Sequence, residues 1–139
     1  MWLTAAVFSA VFAALTAILA KCGIRKTDSD VATAIRTAVV LVFSWIMVFI
    51  SGSAGSISQI SAKSLIFLTL SGIATGGSWL CYYYAIQNGV VSVVVPIDKM
   101  SLLPTVIFSY FVFKEKLSKK AALGLALMLA GTVVMAIFA

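Results

Sequence analysis

VVVPIDKMSLLP, residues 93–104, places an aspartate and a lysine side by side between two prolines, inside an apolar run long enough to cross a bilayer. A charge near the centre of the hydrocarbon costs about 3 kcal/mol on insertion scales. A proline leaves the carbonyl four residues earlier without its helical donor; here those carbonyls belong to Ser92 and Met100. Asp98 falls about 12 Å into the run at 1.5 Å per residue. Bent or broken helices that carry charge at such depth are where transporters hold substrates and coupling ions. The competing role for the same residues is an ion cluster that locks a helix bundle.

The rest of the chain fits a membrane setting. Of 139 residues, 63% are hydrophobic and 10% charged, and the mean hydropathy is +1.16. A soluble domain of this size lacks the polar surface to cover so much apolar side chain. The expectation is an integral membrane protein with all 139 residues in a single domain and no separate soluble module. The net charge of +6 does not point to nucleic acid, because the basic residues border apolar spans and no aromatic–basic patch accompanies them. There is no histidine, which removes the commonest general base and the commonest metal ligand. No metal site and no cofactor are expected. Cys22 and Cys81 form no CxxC pair and read as small hydrophobes. LAKC, residues 19–22, glances at a lipoprotein cleavage box. Lys21 stands where that box wants a small residue, so the first segment is expected to be a retained span.

Runs of about 17–25 apolar residues match a membrane-crossing helix. Five appear, at approximately 2–20, 31–50, 64–86, 90–113 and 121–138, separated by KCGIRKTDSD, SGSAGSISQISAK, QNG and KEKLSKK. All should be helical, since hydrocarbon gives unpaired backbone groups nowhere to bond. The expected fold is therefore an all-α bundle of five transmembrane helices, with the short QNG break making spans three and four an antiparallel hairpin. On the N-terminal side of the membrane lie Lys63, Lys114, Lys116, Lys119 and Lys120; on the other lie Lys21, Arg25, Lys26 and, by snorkelling, Arg36. Neither face is poor in positive charge, so the usual determinant of orientation is nearly balanced and insertion both ways up is allowed. The alternative is a single orientation with the lysine-rich 114–120 loop in the cytoplasm.

Residues three, four and seven apart share a helix face. Ser71, Thr75, Ser78 and Tyr82 make one polar stripe in span three, and Asp98, Ser101, Thr105 and Ser109 another in span four. Thr33, Arg36 and Thr37 begin span two. Such stripes either converge on a wet cavity or pack helices, with hydroxyls bonding back to their own backbone. Gly72-x-x-x-Gly76 permits close helix approach. Within the cluster Trp79, Tyr82, Tyr83 and Tyr84, part belongs to an interfacial belt, while Trp79 and Tyr82 are the better cavity-lining candidates.

Adjacent residues on a helix point about 100° apart, so Asp98 and Lys99 are not expected to pair. Arg36 is the geometric candidate for Asp98. Lys99 has no nearby acid, Glu115 being about 24 Å along a straight helix. The expected substrate site centres on Arg36, Asp98 and Lys99 and is lined by Ser78, Trp79, Tyr82, Ser101 and Thr105. Pro96 and Pro104 bend the span. Asp98 and Glu115 are the candidates for ion coupling, although Glu115 reads equally as a residue that ends span four and shapes the loop. The buried charges sum to +1, which favours anionic or zwitterionic metabolites over lipophilic cations.

From Ser78 to Val134 the chain resembles the EamA domain of the drug/metabolite transporter superfamily. The matching features are YYYAIQNGVVSV with the following early proline, FKEKLS with its glutamate, and the closing GLALMLAGTVV helix; TAIRTAVVLV in span two also fits. The resemblance covers nearly the whole chain in order. Typical members are similar to two five-span units fused as inverted repeats; this chain corresponds to one half, like the small single-domain members, some of which carry a PIDK-type sequence. The resemblance implies secondary transport of small metabolites, often export or exchange by alternating access, in a prokaryotic plasma (inner) membrane. It also implies a dimer, since an odd number of spans recreates the inverted repeat only when two copies insert oppositely; antiparallel homodimers are favoured, with a heterodimer with a sister chain as the alternative. The small multidrug resistance family is a cousin with a glutamate embedded in span one. Here that span offers only Thr4, Ser9 and Thr16, which argues against copying its antiport mechanism. The rival function is a non-transporting membrane subunit that docks with a partner transporter. Isolated cysteines, no histidine and one aspartate at depth do not make an enzyme.

Overall fold

A long apolar segment satisfies its backbone in hydrocarbon only as a helix. The computed structural model, which describes residues 1–138, turns each of the five runs into one. In chain order they are α1 (Trp2–Ile24), α2 (Ser29–Ile50), α3 (Ala62–Asn88), α4 (Val91–Asp98) with α5 (Leu102–Val112), and α6 (Lys119–Phe138). α4 and α5 together make the fourth span, Val91–Val112. No strand occurs among the described residues. Phe8, Phe43, Phe67, Phe111 and Leu127, one on each span, are between 61% and 73% exposed. Side chains of that size left bare on every span need hydrocarbon as their solvent. The chain is a multi-pass membrane protein.

The helices form two compact units, the first ending at Asn88 and the second beginning at Gly89. In the first, α3 packs against both α1 and α2, which also touch each other. Its core is Ala17, Ile24, Tyr83 and Ile86, with Ser29 and Thr33 buried beside them. The hydroxyl of Thr33 donates to the carbonyl of Ser29 at 2.8 Å, so a polar group is buried with its bonding capacity used. In the second unit α4 packs against α6.

The helix ends have local causes. α2 starts where the Asp28 carboxylate accepts the backbone N–H of Asp30 at 2.9 Å and of Val31 at 3.4 Å, an N-cap that satisfies otherwise orphan donors. α2 stops at Gly52, whose φ of +71° is a left-handed geometry that glycine adopts without penalty. α1 runs four residues beyond its expected end and so takes in Lys21. Its ammonium donates to the carbonyl of Ile86 at 2.6 Å, so the charge is satisfied at the helix ends and need not leave the helix. The connector after α2 is not featureless either, because Ser53–Gln59 forms a 3-10 helix.

The fourth span is broken as its prolines require. α4 ends at Asp98, Lys99–Ser101 makes a 3-10 turn, and α5 resumes at Leu102. Pro104 stands in the first turn of α5, where a backbone N–H has no intrahelical acceptor anyway. Pro96 is inside α4 and leaves the Ser92 carbonyl without its usual donor.

Candidate functional site

The first unit gathers the expected residues of α2 and α3. Arg36 is about two turns inside α2. Trp79 and Tyr83 are four apart on α3 and therefore share the face that meets α2. The guanidinium carbon of Arg36 lies 3.4 Å from the centroid of the Trp79 ring and 5.7 Å from that of Tyr83. The two rings meet edge to face with centroids 5.5 Å apart, and Tyr82 sits edge-on to Trp79 at the same separation. A cation stacked on indole gains about 0.5–2 kcal/mol. Stacking occupies the face of the guanidinium and leaves its N–H donors in the ring-parallel plane. Within this unit those donors make no hydrogen bond or ion pair.

Arg36 also forms part of the wall of a cleft of about 400 Å³ in the first unit, with Thr16, Thr27 and Tyr83. Thr16 donates its hydroxyl proton to Phe12 O at 2.8 Å, so it has none left to offer a ligand. Beside Ile24 and Thr27 of this wall, side chains bond to helix ends. The Gln87 amide donates to Thr27 O at 2.8 Å and to Ile24 O at 3.3 Å, while Lys21 holds Ile86 O. α1 and α3 thus cap each other's free C-terminal carbonyls.

The second unit holds the residues of the fourth span. Asp98 and Lys99 pair at 3.6 Å, contrary to the expectation that adjacent side chains diverge. The ideal-helix angle does not apply at a break: α4 ends at Asp98, and the four-carbon lysine side chain spans the remaining gap. With the side chains 41% and 51% exposed, the pair cancels its own charge at small energetic gain. Thr105 donates to Ser101 O at 2.8 Å, as Thr75 does to Ser71 O. Thr75 and Thr105 spend their hydroxyl protons on their own helices, which leaves these two acceptor capacity only. Glu115 follows the end of α5, where its N–H donates to Ser109 O at 3.2 Å and Lys114 has a φ of +55°.

Arg36, Ser78, Trp79 and Tyr82 therefore belong to the first unit, and Asp98, Lys99, Ser101, Thr105 and Glu115 to the second. The sequence reading overlooked Tyr83, Lys21 and Gln87. Tyr83 was legible from its spacing of four from Trp79. The other two act through backbone carbonyls, which leave no mark in a side-chain pattern. Cys22 and Cys81 are free and exposed. No group of three or more potential metal ligands occurs among the described residues.

Five spans, one of them broken beside an ion pair, and a cleft with a stacked cation describe a helical membrane protein. The chain belongs to the EamA-like transporter family, whose model matches residues 1–137. It is 42% identical over 137 residues to a Sinorhizobium protein described as an uncharacterized transporter in the cobO 3' region, covering 99% of this chain and 97% of that one. No solved structure matches.

Proposed function

We propose that the chain is a secondary transporter of small polar metabolites, with anions or zwitterions favoured, working as an exporter or exchanger by alternating access in a prokaryotic plasma (inner) membrane. The observation that carries this reading is Arg36, a cation held flat on Trp79 at the wall of a cleft with its edge donors turned to no acceptor of its own unit. Asp98 and Lys99 neutralise one another, so among the candidate site residues Arg36 carries the excess positive charge. The break at Lys99–Ser101 interrupts the fourth span directly after Asp98, with Pro96 and Pro104 as its cause. Asp98 is the candidate for ion coupling, with Glu115 second. Ser78 and Tyr82 in the first unit and Ser101 and Thr105 in the second are the further candidates for contacting substrate.

The working form is a dimer. Five spans and nearly balanced basic residues favour two antiparallel copies, and a sister chain is the alternative partner. A Cβ built at Gly72 or Gly76 meets nothing within 4 Å, so the small-residue face of α3 is open to close approach by another helix. Labelling of single cysteines near each terminus from both sides tests the arrangement; reaction from one side only excludes antiparallel copies.

The functional test is flux through liposomes that contain the purified chain alone. Saturable counterflow of labelled succinate, glutamate or 3-phenylpropionate, with none of tetraphenylphosphonium, is the expected result. Transport of the lipophilic cation overturns the charge argument. The absence of any flux favours a docking subunit over a transporter.

A further inference from the structure

We infer that the cleft of the first unit selects amphipathic monoanions, a single carboxylate on a compact apolar body, over both polar acids and zwitterions. The inference rests on reading this cleft as the substrate site and sharpens the ligand it takes. Apart from Arg36, Tyr83 and two threonines, the wall is Leu19, Ala20, Gly23, Ile24, Ala32 and Ile35. One guanidinium edge matches one carboxylate in bidentate fashion. The wall carries no acidic residue, so the ammonium of a zwitterion placed against it loses water and gains no counter-charge. A second carboxylate meets the same deficit of partners. An alkyl chain or ring, by contrast, is matched by the apolar side chains of α1 and α2 in the wall and by the ring of Tyr83.

Gly23 sets the width. It stands on α1 in the cleft wall, and a Cβ built there meets nothing within 4 Å. A Cβ at this position therefore displaces no neighbour, and the residue that carries it belongs to the cleft wall. Gly23 is the last residue but one of α1, and leucine has the higher helix propensity, so Gly23→Leu is expected to fold.

The test is equilibrium binding to the full chain in phosphatidylcholine nanodiscs, using 3-phenylpropionate, phenylalanine and propionate. The first two differ by one ammonium group and the first and third by one ring. The expected result is 3-phenylpropionate bound at least about tenfold more tightly than either, the scale on which apolar pockets resolve small groups. Gly23→Leu should bring the ratio of 3-phenylpropionate to propionate affinity close to one, and Arg36→Gln should weaken 3-phenylpropionate and phenylalanine alike, since it removes the partner of the carboxylate they share. Laurate, which enters from the bilayer, is the fourth probe. If it saturates the cleft and 3-phenylpropionate does not, the same chemistry is supplied by a lipid. Equal affinity for 3-phenylpropionate, phenylalanine and propionate overturns the inference, as does an unchanged ratio in Gly23→Leu. Flux of polar acids without apolar discrimination removes this selectivity alone and leaves the transport reading standing. Discrimination in binding without flux does the reverse.

Discussion

Gln87→Met keeps the length of the side chain and removes both donors that join the end of α3 to the α1–α2 corner. The two bonds are unequal: 2.8 Å to Thr27 O and 3.3 Å to Ile24 O. A good hydrogen bond to a neutral acceptor contributes about 1 kcal/mol net, and the longer one about half of that. Leaving part-buried carbonyls without a donor adds to the loss, for a total of about 2 kcal/mol. For a chain of this length that corresponds to a fall in the unfolding midpoint of about 6 °C. The assay is thermal unfolding of the purified protein in detergent, followed by circular dichroism. Asn88→Ala is the internal comparison, since the Asn88 amide bonds only to Tyr84 O within its own helix, at an exposed position. Its effect should stay within about 0.5 kcal/mol. Equal shifts for the two variants would refute the claim that Gln87 ties α3 to α1.

Three further predictions concern single residues. Lys114, at a φ of +55°, is in a region that costs a residue with a Cβ about 1 kcal/mol, so Lys114→Gly should raise the unfolding midpoint by a few degrees. Asp28→Ala removes the N-cap of α2 and should destabilise by about 1 kcal/mol, measured in the same way. Lys99→Ala breaks a half-exposed pair and should change stability by less than about 1 kcal/mol while abolishing anion flux; flux at the wild-type level would show the pair to be structural only.

What was legible in the sequence follows from what the membrane forces. Each span had to be helical because lipid accepts no unpaired backbone, so the five runs were found to within a few residues. The break in the fourth span was written in Pro96 and Pro104, which remove donors at fixed offsets. Other features depended on tertiary geometry. Lys21 looked like the start of a loop because nothing local showed that Ile86 O would receive it. Asp98 and Lys99 looked unpaired because the angle of an ideal helix was applied across a point where the helix stops. Arg36 was expected to seek a carboxylate, yet in the first unit it rests on Trp79, since an aromatic face partners a cation without a countercharge. Gly23 gave no signal at all: its importance to the cleft comes from the space around it.

The most direct test of the account is counterflow in liposomes for Arg36→Gln and Arg36→Lys, each first shown to be folded at the temperature of the assay. Loss of a charged, bidentate hydrogen-bonding group is worth about 2 kcal/mol, or roughly 30-fold in affinity. Arg36→Gln should therefore lower the apparent affinity for each transported anion at least 30-fold, and Arg36→Lys should recover only part of it, because an ammonium neither stacks flat on Trp79 nor presents a fork. Anion counterflow at the wild-type level in Arg36→Gln would contradict the account.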